Sequence, residues 1–288
     1  MNIESKSPLA RTWQRFISNR IALVALSVIA IFFVIAFVFA VLGFLQINWP
    51  SDPNATYLER KLLPPGPGHW LGTDNLGRDV LSRMLHGAYI SLTVGFVAVG
   101  VALMMGVSIG ACAGYLGGWV DNFLMRMVDA IICFPAFFLI LTAVAMLGPN
   151  IWIIVIVIGL VSWTSTARLV RAEFLTLREA EYVRAARSLG QHSLPIILRH
   201  ILPNAAAPIF VTAVLGIPDA IMTEAGLSFL SFGVPPPQAT WGNIISDGKS
   251  YILDAWWLIL FPGLAIFIVC LAFYLVGEAL REASQTRS

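Results

Sequence analysis

The chain has 288 residues, of which 58% are hydrophobic and 12% are charged, and its formal net charge is +2. An average soluble domain carries about 25% charged residues, so this composition excludes an ordinary water-soluble protein and predicts one that lies in a bilayer. Its three cysteines form no CxxC pair and have no nearby histidine at metal-ligand spacing. We therefore predict that they are packing residues and that the chain has no metal site.

Long stretches without charged residues predict the membrane-spanning helices. A spanning helix needs roughly 20 apolar residues, and five stretches reach or approach that length: residues 21–51, 84–120, 130–167, 201–218 and 255–277. The third stretch is too long for one span and contains Gly148-Pro149-Asn150, a combination that turns the chain and ends a helix. The sequence therefore predicts an all-α, polytopic membrane protein with six transmembrane helices.

The distribution of basic residues predicts the orientation in the membrane. Twelve of the 18 Lys and Arg residues precede the first span, lie between the fourth and fifth spans, or follow the sixth span. Segments rich in Lys and Arg stay on the cytoplasmic side. Both termini are thus predicted to be cytoplasmic.

The predicted spans divide the chain into four parts. Residues 1–20 predict a cytoplasmic amphipathic segment, and residues 21–45 predict the first transmembrane helix. Residues 46–87 form an external segment that is rich in proline at its start. Residues 88–282 contain the other five helices, together with a cytoplasmic loop at residues 173–202.

The second span carries two further signals. Thr73, Asp74 or Asn75 can cap a helix that continues into this span. Within the span, glycines recur at intervals of four residues, which predicts a smooth stripe where another helix can approach closely. The members of this stripe are Gly106, Gly110, Gly114 and Gly118.

Charged residues in the spans are candidates for structure or transport. Arg126 and Asp129 lie one helical turn apart in the third span, and we predict that they form a structural ion pair. Asp219 and Glu224 fall in the outer half of the fifth span. Because acids at that depth rarely face lipid, we interpret them as candidates for the transport pathway or its gate.

The cytoplasmic loop predicts two short helices joined at a glycine. Good helix formers end at Gly190, and Ser193 with Pro195 begins the second helix. The small side chains of Ala185 and Ala186 would let another protein approach the first helix.

No constellation of catalytic residues is visible in the sequence. The motif HExxH is absent, and residues 242–250 resemble a P-loop but separate their glycines by five residues where the motif has four. We therefore predict that the chain is not an enzyme, and that any ATP used is bound by another chain. These observations leave open a channel, a secondary transporter or a subunit of a larger machine.

At the cytoplasmic loop the sequence resembles the permease subunits of binding-protein-dependent ABC importers. Their signature is Glu-Ala-Ala, three residues, Gly, nine residues, then Ile-x-Leu-Pro. Arg184 replaces its glutamate and His200 its isoleucine, while the matching positions hold Ala185, Ala186, Gly190, Leu202 and Pro203. Residues 71–83 and 224–242 further resemble the peptide and nickel branch of these importers. The whole chain is similar to the C-type permease of that branch.

This resemblance implies the fold of a type I ABC importer permease and a place in a bacterial inner membrane. It implies contacts with membrane lipid, a homologous second permease, two cytoplasmic ATPase subunits and an external solute-binding protein, but not with nucleic acid. The chain would hold no cofactor, because ATP and Mg would bind to the ATPases. The residues that couple to the ATPases would be Arg184, Ala185, Ala186, Gly190, Leu202 and Pro203.

The substrate stays open among dipeptides, oligopeptides, nickel, glutathione and metal chelates, since these systems share this type of subunit. The alternative from another class is a stand-alone secondary transporter or channel, which would be active without ATP.

Overall fold

The structure is a computed structural model that describes residues 16–47 and 49–285. Within these residues the chain is helical, apart from turns and two isolated β-bridges. Helices α1 to α5 are Arg20–Phe44, Val80–Leu116, Gly118–Ile132, Ala136–Leu147 and Ile151–Leu177. Helices α6 to α10 are Glu181–Ser188, Ser193–Ile196, Leu202–Phe229, Trp241–Gly248 and Trp257–Gln285, and a π-helical turn, Ile197–Ile201, joins α7 to α8. The predicted all-α class is confirmed.

Five helical segments are long and apolar enough to cross a membrane: α1, α2, α5, α10 and the continuous stretch from α7 through α8. Helices α3 and α4, which meet at an 80° bend at residues 133–135, are together long and apolar enough for a sixth, broken span or a re-entrant loop. Pro135 explains the break, because it has no N–H to donate to the preceding turn. The predicted turn at residues 148–150 separates α4 from α5, and the Asn150 side chain accepts the N–H of Trp152 at 2.9 Å.

Helix α1 lies at the position of the predicted first span. The Asn19 side chain caps it by accepting the N–H groups of Ile21 and Ala22, at 3.0 and 3.3 Å. Small and apolar residues of α1, among them Ala25 and Ile29, belong to a core shared with α2, α8 and α10. Most of the predicted amphipathic segment, residues 1–15, lies outside the described residues.

Helix α2 begins later than the predicted caps would place it. Asp79 is its N-cap and accepts the N–H of Ser82 at 2.8 Å, so the prediction that Thr73, Asp74 or Asn75 caps this helix is wrong. The reason is that Asp74 is engaged in ion pairs, and Thr73 accepts the N–H of Leu63 at 2.8 Å. Residues 80–87 of the predicted external segment therefore form the first turns of α2.

Helices α2 and α5 form the most extensive helix pair. A Cβ added at Gly106, Gly110 or Gly114 would lie only 2.5–2.6 Å from atoms of α5, so the two backbones touch at these positions. This confirms the predicted stripe for three of its four glycines. Gly118 does not belong to it, because it opens α3 with a φ of +57° and an added Cβ would meet nothing within 4 Å.

Candidate coupling site and membrane-embedded acids

Helix α6, in the predicted cytoplasmic loop, is fixed to the protein by one of its faces. Val183 and Ala186, one turn apart, are buried in a cluster with Tyr115 of α2 and Phe174 of α5. Arg187 adds a cation–π contact, with its guanidinium carbon 4.9 Å from the centre of the Tyr115 ring. The C-terminal ends of α2 and α5 therefore hold α6 in place.

The opposite face of α6 is open. Arg184 and Ala185 are exposed, and the Leu189 side chain after the helix is 88% exposed, with Leu194 also exposed beyond the turn. Gly190 has a φ of +75°, a left-handed conformation that glycine adopts at the least cost. A Cβ on Gly190 would meet nothing within 4 Å. Glycine is therefore favoured here by the backbone conformation of the turn and not by a lack of space.

The start of α8 joins the same cluster. Ile201 and Ala205 are buried beside Ala186, while Pro203 stands exposed in the first turn of α8 and Leu202 is partly buried. Proline is tolerated there because the first turn needs no internal N–H donor. Of the predicted coupling residues, Arg184 and Ala185 lie on the open face of α6, Ala186 lies on its buried face and Gly190 follows the helix. Leu202 and Pro203 begin α8, and buried apolar contacts connect the two helices.

Arginines near the inner end of α5 bind the neighbouring helices. Arg178 donates to the carbonyl oxygen of Gly114 at 3.0 Å, and Arg171 holds Asp121 of α3 through two hydrogen bonds, one of them an Nη2–Oδ2 contact of 2.7 Å. Arg168 pairs with Asp129 of α3 at 2.5 Å. These contacts attach α3 and the end of α2 to α5.

The predicted ion pair between Arg126 and Asp129 is therefore wrong. Asp129 reaches across to Arg168 of α5, whereas Arg126 is exposed and makes no ion pair within residues 16–47 and 49–285. A spacing of three residues permits a contact along one helix. It does not reveal a cation that a neighbouring helix presents.

The two acids of α8 have opposite surroundings. Glu224 is 1% exposed and accepts the hydroxyls of Ser228 and Thr240, at 2.7 and 3.1 Å. Asp219 is exposed and accepts the hydroxyl of Tyr274 of α10 at 3.0 Å. Since the Glu224 side chain is buried within the part of the chain that the structure describes, we assign it a structural role between α8 and α9. Asp219 keeps its place as a pathway candidate.

A group of four charged residues, three of them buried and Asp247 partly exposed, ties the predicted external segment to α2 and α9 and is named the outer cluster. Arg78 contacts Asp74 at 2.6 Å and Asp247 at 2.9 Å, and Arg83 pairs with both carboxylates. Asp74 and Arg83 are 0% and 3% exposed. Sequence reasoning missed this cluster, and the only local signal was the density of Asp and Arg in residues 71–83.

Asn243 links the outer cluster to Glu224. Its Oδ1 accepts the N–H of Thr240 at 3.0 Å and an N–H of Arg83 at 3.4 Å. Thr240 caps α9, and its hydroxyl accepts the N–H of Asn243 while donating to Glu224. A continuous polar network thus runs from the external segment through α9 to α8.

Family profiles cover most of the chain. Residues 106–287 match the profile described as the inner membrane component of binding-protein-dependent transport systems. The chain belongs to this permease family. Residues 7–65 match the N-terminal transmembrane domain of oligopeptide transport permease C. The resemblance to a C-type importer permease is thereby confirmed, and this permease is a multi-pass component of an inner membrane.

Full-length relatives agree with this assignment. The permease is 42% identical to a peptide transport system permease protein of Brucella suis biovar 1, over 98% of this chain and 93% of the relative. It is 39% identical to a dipeptide transport system permease protein of Alkalihalophilus pseudofirmus, over 96% and 89% of the two chains. A glutathione transport system permease protein of Pectobacterium atrosepticum is 37% identical, over 96% and 91%.

A solved structure supports the fold. The permease superposes on a chain of the methionine ABC transporter MetNI, in an inward-facing conformation, with a TM-score of 0.57 and 16% identity. The match covers 71% of the permease and 98% of the solved chain. The predicted fold of a type I ABC importer permease is confirmed.

Proposed function

We propose that this permease forms one half of the translocation pathway of an ATP-driven importer of peptides. The observation that carries the proposal is the construction of the cytoplasmic loop. One face of α6 is bound into the protein through Val183 and Ala186, and the other presents exposed Arg184, Ala185 and Leu189. A helix that is firmly held and open on one side is suited to dock on another subunit and transmit its movement.

The other subunits of the importer would supply what this chain lacks. A homologous permease would close the pathway, two cytoplasmic ATPases would bind ATP and Mg and hydrolyse the ATP, and an external protein would deliver the solute. The excess of Lys and Arg in the loop and at the termini supports a cytoplasmic position for both. The names of the relatives, which include peptide, dipeptide and glutathione permeases, favour a peptide as the substrate.

Movement of the ATPases would pass from α6 to the membrane through the buried cluster. Ala186 packs beside Ile196 and Ile201, and Ile201 directly precedes α8. Because packed side chains transmit displacement without much compression, a push on α6 would tilt α8. Rigid-body rotation of this type is a common mode of switching.

The composition of the complex is the first test of the proposal. The tagged chain is extracted gently from native membranes, and the proteins that accompany it are identified by mass spectrometry. We expect a second permease and P-loop ATPases, together with uptake of a labelled peptide that requires ATP. Recovery of the chain alone, with transport that needs no ATP, would instead favour a secondary transporter.

A single exposed residue tests the docking surface. In Leu189→Glu a charge replaces an exposed apolar side chain, so we expect the ATPases to dissociate and uptake to fall. Leu189→Met keeps the apolar surface and is the matched control. If both variants retained the ATPases and normal uptake, this part of the loop would not be the docking surface.

A further inference from the structure

Asp219 is a carboxylate on the open surface of a membrane-spanning helix. Helix α8 ends at Phe229, so Asp219 lies about 15 Å inside its outer end at 1.5 Å per residue. Charged groups at such depth are costly against lipid and normally face protein or water. Since Asp219 is exposed in the single chain, its surface in the importer faces the second permease or the pathway.

Tyr274 orients this carboxylate and leaves part of it free. The Tyr274 hydroxyl, on a side chain that is 44% exposed, donates to Oδ1 of Asp219 at 3.0 Å. Within the described residues Oδ2 of Asp219 has no hydrogen-bond partner. The two side chains thus present a fixed acceptor oxygen at an open surface between α8 and α10.

Among the described residues, neither of these two helices places a cation beside this carboxylate. Helix α8 contains neither Lys nor Arg, and the single basic residue of α10, Arg281, lies near the inner end of that helix. Towards the outer end, the exposed neighbours one turn away are apolar, namely Met222 on α8 and Leu271 on α10. Towards the inner end, Glu278 of α10 is exposed and pairs with Arg281. A lone oriented carboxylate with apolar flanks suits a ligand that carries one positive group beside variable or apolar parts.

We propose that Asp219, positioned by Tyr274, is a station in the pathway that binds the α-ammonium group of a passing peptide. This inference rests on the function proposed above, and it adds the chemical group that the pathway recognises. An ammonium has three donors and no acceptor, so it matches the free Oδ2 in a charge-assisted hydrogen bond. The apolar flanks leave the peptide side chains unselected, so that one carboxylate serves peptides of different sequence.

Uptake by the assembled importer in proteoliposomes, with labelled tri-alanine as the probe, tests this station. Asp219→Asn keeps the acceptor for Tyr274 but removes the charge, so we expect uptake to fall by about tenfold, the loss of one charge-assisted hydrogen bond. Asp219→Glu restores the charge and should recover most of the uptake. In Tyr274→Phe, which frees the carboxylate to rotate, we expect a smaller loss than in Asp219→Asn.

Assembly and access separate this role from others. The expected Asp219→Asn complex keeps both permeases, the ATPases and ATP hydrolysis stimulated by the binding protein. With Cys112, Cys133 and Cys270 replaced by alanine, Met222→Cys, one turn from an intact Asp219, should react with a water-soluble thiol reagent more slowly when tri-alanine is present in excess.

Several results would overturn the inference. Loss of the second permease from Asp219→Asn would make Asp219 an interface residue. Unchanged uptake, or labelling that tri-alanine does not slow, would show that no ammonium binds there. If the unaltered importer took up no tri-alanine with ATP, the proposed function itself would fail before any variant was compared, and the station would fall with it.

Discussion

The outer cluster and the cytoplasmic loop each hold a short segment in place, but the first does so through buried ion pairs and the second through apolar contacts. At the outer end, Asp74, Arg78 and Arg83 are buried and joined to α9 by ion pairs. At the inner end, α6 is held by apolar contacts of Val183 and Ala186, and its polar residues stay in water. Removing a charged side chain from the outer cluster should therefore destabilise the protein strongly. On α6, enlarging a side chain should destabilise the protein on the buried face but not on the exposed face.

The largest effect is expected from breaking the outer cluster. Arg83→Met leaves Asp247 and Asp74 with one fewer cation in a buried site, and losing one partner of such a group costs about 3–5 kcal/mol. We expect a marked fall in the temperature of half-unfolding in detergent. Arg281→Met, which breaks an exposed pair with Glu278, is the comparison and should cost about 0–1 kcal/mol. Equal effects of the two changes would contradict the contrast.

Two adjacent alanines test the inner end. Ala186→Trp forces a large ring into the cluster below α6, so we expect a loss of about 3 kcal/mol, the upper end of the usual cost of overpacking. Ala185→Trp points into solvent and should leave the unfolding temperature unchanged while lowering ATP-dependent uptake. A destabilised Ala185→Trp protein would show that the open face is packed after all.

Breaking the contact between α9 and α8, the helix that carries Asp219 and Glu224, should have an intermediate effect on stability. Thr240→Val removes the cap of α9 and a donor to the buried Glu224, so we expect a loss of about 2 kcal/mol. Thr240→Ser keeps the hydroxyl and should behave like the unaltered protein in the same unfolding experiment. A neutral Thr240→Val protein would mean that water replaces the hydroxyl.

The smallest effect is expected at the glycine between the loop helices. Gly190→Ala places a Cβ on a residue with a φ of +75°, which costs about 1–2 kcal/mol of backbone strain but causes no clash. Gly190→Asn should cost less, because asparagine enters this conformation more readily. A loss well above this range, measured by thermal unfolding, would mean that the position needs space as well as conformational freedom.

The sequence predicted the spans well because a membrane requires long apolar runs, and such runs are visible locally. It also contains a short motif with Ala185, Ala186 and Gly190, whose role in coupling stays a prediction. It failed where the partner lies far along the chain. Arg83 and Asp247 are separated by 164 residues, and the pairing of Asp129 with Arg168 depends on which faces of two helices meet. Burial of Glu224 likewise depends on α9, which the spans alone do not place.

The stripe of glycines on α2 limits how the protein can move. If α2 slid along α5 by one residue, Met105 or Val107 would take the place of Gly106 opposite Thr166, where no side chain fits. The next position at which glycines again face α5 lies one turn away, about 6 Å at 1.5 Å per residue. These two helices can therefore shift along each other only in steps of about one helical turn. Small displacements during transport have to occur at interfaces where side chains, and not backbones, are in contact.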